Sequence, residues 1–161
     1  NGADAFVLRT SAPLIGALGI TNMRSLDLDA LLGIRHEHAT FHDAELKSLQ
    51  INYSADSISF TFLIPCGFSD NRKLKYHEGE LTFRTILFYY FEPSAYRAEK
   101  NDMAALWITA DGPLPDAKVK VSKELPSDLP PDAFAHYFYS DTTNSFIVIA
   151  AKAAAFEWLG T

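Results

Sequence analysis

The chain has 161 residues, of which 48% are apolar, 13% aromatic and 21% charged. That composition is typical of a globular protein, and the length fits one domain able to bury a sizeable core. The formal net charge of −6 argues against nucleic acid as a partner, because binding a phosphate backbone needs clustered Lys and Arg. The same acidic balance suits a basic protein partner.

Cysteine content and hydropathy bear on location. Cys66 is the single cysteine and cannot form an intramolecular disulfide, which favours a reducing compartment, so we expect a cytoplasmic protein. No apolar run approaches the roughly 18 residues that a membrane-spanning helix needs, so we expect no membrane association. Residues 1–22 are an irregular apolar leader, and Met23 is an alternative natural start that would make this leader foreign to the protein. Residues 23–161 are predicted to form a single, mostly β domain.

A short helix is predicted over residues 25–34. Ser25 or Asp27 can cap its start, acidic residues lie in its first turn, and Gly33 can end it. The polar residues that follow lead into the next element.

Residues 41–64 indicate a β-hairpin. Its second arm carries the apolar residues Ile58, Phe60, Phe62 and Ile64 at alternate positions. Because strand side chains alternate between faces, these four lie on one face, which must be buried. Residues 54–57 are short and polar and suit a reversing turn.

The middle of the chain reads as a loop followed by a long strand. Residues 65–67, Pro-Cys-Gly, are expected to end the hairpin, and residues 68–77 to form a basic, polar loop. Residues 80–91 are rich in β-branched and aromatic side chains without Gly or Pro, which predicts a strand. This strand becomes apolar on both faces, as a covered central strand does.

The next segment is less regular. Residues 94–102 are a charged excursion with about one helical turn, and residues 105–109 and 118–121 are predicted as short strands. The turn-rich residues 111–116 would separate these strands. Residues 124–132 contain three prolines and are predicted to form a surface loop.

The last part of the chain predicts a second hairpin from residues 133–139 and 145–151. Its continuation through residues 150–158 favours a long strand over the helix that its alanines would allow. The predicted fold is therefore α+β but mostly β. It is a curved antiparallel sheet, open barrel or sandwich of about six or seven strands, with a short N-terminal helix.

A histidine-rich stretch is the first candidate for chemistry. In an extended segment, His36 and His38 would point the same way and could reach one zinc ion, with His42 and Asp43 as further ligands. Glu45 would then act as a base. The spacing does not force a third ligand, so the sequence favours a solvated linker over a metal site and predicts no cofactor. Asp43 is instead expected to accept hydrogen bonds at the strand entrance.

Binding residues are expected among His42, Asp43, Glu45, His77 and His136. Imidazoles titrate near neutral pH, so two in one pocket would be functionally suggestive, although the sequence alone does not bring them together. A histidine in an aromatic strand, such as His136, is more often a hydrogen-bonded sheet residue. The aromatic residues Phe83, Tyr89, Trp107 and Tyr137 are predicted to fill the core, or alternatively to line a ligand cavity.

The run Phe41-His42-Asp43-Ala44-Glu45, followed by a hairpin, resembles the FHDAE-type opening of small bacterial immunity proteins. These are the immunity protein 50-like group of polymorphic toxin systems and related uncharacterised families. The resemblance covers residues 41–91. It implies a mostly β domain that binds a toxin and has no catalytic residues.

Three functions follow as hypotheses. The favoured one is a non-enzymatic protein-binding domain, an immunity-like inhibitor of a bacterial toxin, with Asp43 and Glu45 at the surface. The alternatives are a metal-assisted hydrolase that uses the His36 to Glu45 cluster and a small-molecule-binding curved sheet. The absence of a nucleophile elbow and of a phosphate loop favours the first and leaves an enzyme open. The partner and the oligomeric state are not determined by the sequence.

Overall fold

A computed structural model describes residues 23–36, 38–68, 72–93, 105–116 and 118–160. The leader at residues 1–22 and the helical turn predicted within residues 94–102 lie outside these ranges. No helix in the described ranges is long and apolar enough to span a membrane.

Within these ranges the chain forms one antiparallel sheet and two short 3-10 helices. The strands are β1 (Glu45–Asn52), β2 (Ser57–Phe68), β3 (Leu74–Phe91), β4 (Leu106–Trp107), β5 (Ala110–Leu114), β6 (Phe134–Ser140) and β7 (Ser145–Trp158). The 3-10 helices are η1 (Asp29–Leu32) and η2 (Lys120–Glu124). Along the sheet the order is β4-β1-β2-β3-β7-β6-β5, which confirms the predicted curved, mostly β fold.

The sheet curls into a half-barrel because one short segment serves both of its edges. Strands β4 and β5 are the outermost strands, yet only Ile108 and Thr109 separate them. Trp107 and Ala110 are three peptide steps apart, so their Cα atoms are at most about 11 Å apart. The Ile108 N–H donates to the Ala44 carbonyl and the Thr109 N–H to the Tyr139 carbonyl, each at 2.8 Å. The two edges therefore meet at this link.

The concave face of the sheet is filled by aromatic rings. Among the described residues, the phenylalanines that are at most 1% exposed are Phe41, Phe60, Phe62, Phe83, Phe134 and Phe138. The ring of Phe138 lies 5.9 Å from that of Phe60 and 5.7 Å from that of Phe62, between their centroids. Leu28 and Leu32, from the η1 segment, cover the same cluster. The interior is thus a packed core, and the core interpretation of Phe83 is confirmed.

A second apolar cluster covers the convex face over β5, β6 and β7. Val121 and Leu125, from the η2 segment, pack with Leu114, Val148 and Ala150. Because the first half of β7 is covered on both sides, its residues are almost continuously apolar.

The predicted N-terminal helix is wrong in extent, since only the four residues of η1 are helical. The Asp29 carboxylate accepts hydrogen bonds from the Phe41 N–H at 2.9 Å and from the Thr40 hydroxyl at 2.8 Å. These long-range bonds tie the segment to the strand entrance, and with the burial of Leu28 and Leu32 they outweigh local helix propensity.

The boundary between β2 and β3 also differs from the prediction. Strand β2 continues through residues 65–67 to Phe68, and β3 begins at Leu74. The pairing is irregular between Pro65 and Phe68, and a bulge of this kind accommodates a proline that cannot donate to the ladder.

The structure also differs from the predicted secondary structure over residues 110–121. The turn-rich stretch contains the edge strand β5, where Gly112 and Pro113 are tolerated because an edge strand pairs on one side only. The strand predicted at residues 118–121 is replaced by η2. The second hairpin, β6 and β7, and the C-terminal strand are confirmed.

The ring packing predicts a large stability loss for Phe138→Ala. Its ring contacts several core rings, so we expect unfolding free energy to fall by about 3–5 kcal/mol in urea denaturation. Phe68→Ala is the matched control, because Phe68 is 73% exposed. Equal effects of the two substitutions would contradict a core centred on Phe138.

Candidate functional site

The strand entrance forms a tight turn instead of the first residues of a strand. The Ala44 N–H donates to the Phe41 carbonyl at 3.0 Å, and the Asp43 backbone, with φ 63°, donates its N–H to the Ile108 carbonyl at 2.8 Å. The side chains of His42 and Asp43 are 56% and 67% exposed, and His42 Nε2 lies 3.7 Å from Asp43 Oδ1. Glu45 pairs with Lys47 at 3.1 Å.

The hydrogen-bonding role expected of Asp43 is therefore wrong. Its carboxylate contacts no backbone amide among the described residues, and the acid that satisfies the strand entrance is Asp29. Sequence reasoning missed Asp29 because a carboxylate in the first turn of a predicted helix has an adequate local explanation.

The metal-ligand candidates are not brought together. His36 lies against His77, whereas His42 pairs with Asp43. Within the described ranges, no group of three or more His, Cys, Asp or Glu side chains is arranged to hold a metal ion. The metal-site hypothesis required an extended segment through His36 and His38. The segment is not extended, because residues 34–36 form a bend and His38 has φ 66°.

His36 and His77 meet at one mouth of the half-barrel. Their rings stack with centroids 4.1 Å apart and an interplanar angle of 16°, and the Trp158 ring stands edge-on to His36 at 4.6 Å. Arg35 and Leu159 join them around a cavity of about 220 Å³. Burial lowers the pKa of His36, and the nearby His77 and Arg35 lower it further. His77 lies on the concave face because it pairs with Ile64. No local pattern in the sequence reveals that pairing.

His136 is buried in β6 with its side chain 3% exposed, and its Nε2 lies 3.0 Å from Asp111 Oδ2. Its Nδ1 has no hydrogen-bond partner among the described residues. The two side chains line a cavity of about 270 Å³ with Asp27 and Asp29. Sequence reasoning missed Asp111 because it was assigned to a turn.

The aromatic residues considered for a ligand cavity are dispersed. Phe83 is in the concave core and Tyr137 packs against the convex cluster. Trp107 lies near Tyr76, with ring centroids 6.2 Å apart. Tyr89 lies at the far end of β3, in a surface groove described next.

A groove of about 340 Å³ lies between the tip of the first hairpin and the end of β3. Ile51, Tyr53, Asp56, Leu87 and Tyr89 are among its lining residues. Tyr53 is 80% exposed and Tyr89 39%. The neighbouring Tyr53 hydroxyl raises the pKa of Tyr89. We call this feature the tyrosine groove.

Beside the tyrosine groove, β3 extends beyond its neighbour β2. The last paired residues are Ser57 and Arg84, so among the described strands residues 85–91 pair only with β7. Asp56 closes the first part of the open side, since its carbonyl accepts the Thr85 N–H at 3.0 Å and its Oδ1 accepts the Ile86 N–H at 3.3 Å.

The hydrogen bonds between β3 and β7 determine which way the remaining backbone N–H and C=O groups of β3 point. The Glu92 N–H donates to the Phe146 carbonyl at 2.8 Å, which makes this a hydrogen-bonded position facing β7. Hydrogen-bonded positions recur every second residue, so Tyr90 also faces β7. Tyr89 and Phe91 then direct their N–H and C=O groups away from β7, to a side that no described strand occupies. We call this the free edge of β3.

No protein-family model and no curated protein matches the chain. A solved structure of an uncharacterized protein from Neisseria gonorrhoeae is similar over 74% of this chain and 94% of that chain, with 15% sequence identity and a TM-score of 0.45. This likeness carries no argument about the site or the function.

The strand entrance gives a paired prediction. Asp29→Ala should lower the unfolding free energy by about 1–3 kcal/mol, because it leaves the part-buried Phe41 N–H without its acceptor. Asp43→Asn, which keeps a residue suited to the positive φ of this turn, should change it by less than about 0.5 kcal/mol, as is usual for an exposed side chain. Urea denaturation of both variants measures the difference. A larger loss for Asp43→Asn would reverse the assignment.

Proposed function

We propose that this protein is a non-enzymatic protein-binding domain that receives an extended segment of its partner along the free edge of β3. The observation that carries the proposal is a run of β3 backbone that no described strand pairs with, beside two exposed tyrosines. An edge with open N–H and C=O groups is a template for another strand, and proteins recognise extended segments in this way.

The tyrosine groove supports the same role. Tyrosine and similar large aromatic side chains dominate binding energy at protein interfaces, because they bury much area and still offer a polar group. Tyr53 and Tyr89 present such rings next to the free edge, and Leu87 adds apolar surface. Backbone pairing would orient the partner segment, and contacts with the tyrosine rings would supply most of the binding energy.

Charge supports a basic partner. The chain carries a net charge of −6, and Asp56 lines the groove where a partner strand would begin. A Lys or Arg of the partner could meet this carboxylate at the rim, which favours fast association.

The partner class that we propose is a bacterial toxin, with the chain acting as its immunity-like inhibitor in the cytoplasm. The resemblance of Phe41 to Glu45 to immunity proteins supports this class, and the single cysteine supports the compartment. The exposed His42 and Asp43 offer a second possible contact surface, so the test must separate the two.

Binding to the product of an adjacent toxin gene, measured by calorimetry, tests the surface. Tyr53→Ala and Tyr89→Ala should each weaken binding by about tenfold or more, the effect of removing an interface hot spot. Phe68→Ala is the control for an exposed aromatic residue outside the groove. If Asp43→Ala abolishes binding while both tyrosine variants bind normally, the partner contacts the strand entrance instead.

Hydrogen exchange tests the strand mode separately. The amides of Tyr89 and Phe91 should exchange rapidly in the free protein and become protected in the complex. The Tyr90 amide, which faces β7, should be protected in both states. Protection of Tyr89 and Phe91 before any partner is added would show that the edge is already covered.

A further inference from the structure

We propose that the histidine mouth, formed by Arg35, His36, His77 and Trp158, is a binding site for an oxyanion of the phosphate or sulfonate class. This site is separate from the tyrosine groove. His77 lies near the start of β3 and Tyr89 near its end, twelve residues later, which is at most about 40 Å along the strand at 3.3 Å per residue.

The first argument is the convergence of groups that can carry positive charge. Arg35, His36 and His77 line one cavity, and none of them has an ion pair with a described carboxylate. The acids next in sequence, Glu78 and Glu157, are on the opposite face of their strands, because side chains alternate. In an acidic protein, such an uncompensated cluster is suited to an anion.

The second argument is the arrangement of hydrogen-bond donors. Stacked imidazoles expose their ring nitrogens at the rim of the stack, and an arginine guanidinium presents several donors in one plane. The indole N–H of Trp158 is already donated to the Leu32 carbonyl at 3.1 Å, so Trp158 contributes a fixed apolar wall. A compact anionic group with an organic substituent matches this combination.

The third argument concerns the charge state of the stack. Among the described residues, the titratable and charged groups that face His36 are Arg35 and His77, while Trp158 on β7 is uncharged. On β2, burial raises the pKa of Cys66 more than the His77 backbone lowers it, and the thiol donates to the Ile64 carbonyl at 3.4 Å, so Cys66 remains neutral. The pKa of His36 is lowered first by burial and then by His77 and Arg35. A bound oxyanion supplies the missing countercharge and favours the protonated ring.

The sign of the pH dependence follows. Because the pKa of His36 lies below its usual value, the ring is neutral near pH 7 and gains charge only as the pH falls through that pKa. Oxyanion binding should therefore strengthen on acidification and take up a proton. Sulfate is the appropriate probe, since it remains a dianion throughout this range.

The experiment is a sulfate titration of the full chain, followed by NMR at the imidazoles of His36 and His77. We expect sulfate to raise the pKa of His36 by about one, which corresponds to about tenfold tighter binding to the protonated protein. Arg35→Gln and His77→Ala should abolish the saturable shift, and Arg35→Lys should retain most of it. His38→Ala and His42→Ala are matched controls, because these histidines do not line the cavity.

Two further probes identify the source of the oxyanion. Benzenesulfonate binding more tightly than methanesulfonate would indicate an organic ligand that uses the Trp158 wall, and equal binding would indicate a free anion. The absence of a saturable shift up to about 10 mM sulfate would overturn the site, because a site of even millimolar affinity would be nearly filled at that concentration. An equal shift in Arg35→Gln would also overturn it, and neither result would bear on partner binding at β3.

Discussion

The structure depends on the short link between β4 and β5. Two residues, Ile108 and Thr109, connect the outermost strands of the sheet, so the sheet must curl until its edges meet. Curling directs one face of β2, β3 and β7 inward, and that enclosed volume is filled by phenylalanine rings. The link also fixes the strand entrance, because the carbonyl of Ile108 accepts the Asp43 N–H.

Unequal strand lengths then create the two candidate surfaces. β3 has 18 residues and its neighbour β2 has 12, so the first hairpin covers only part of the long strand. Beyond the hairpin tip, no strand in the described part of the chain pairs with one side of the β3 backbone, and the tyrosines are exposed. At the other end, the concave face reaches a mouth that the segment after η1 closes by placing His36 on His77. The phenylalanine core fills the centre of the sheet, so both candidate surfaces lie at its ends.

The sequence predicts the strands whose apolar residues alternate in a regular local pattern. The alternation from Ile58 to Ile64 identifies β2, since a period of two is visible without knowing the partner strand. It does not identify β5, because Gly112 and Pro113 read as a turn until the edge position is known. The sequence also does not predict the contact between His36 and His77, because the position of His77 depends on the pairing of β2 with β3. The hydrogen-bonding role predicted for Asp43 belongs to Asp29, because folding brings the Phe41 N–H and the Thr40 hydroxyl to Asp29.

The free edge of β3 also affects how the unbound protein behaves in solution. Open backbone beside apolar side chains is a template for self-pairing as well as for a partner. In the described ranges, Asp56 blocks only the start of that edge, through its bonds to Thr85 and Ile86. A tendency of the chain to pair with other copies of itself at high concentration would be the physical cost of keeping such an edge available.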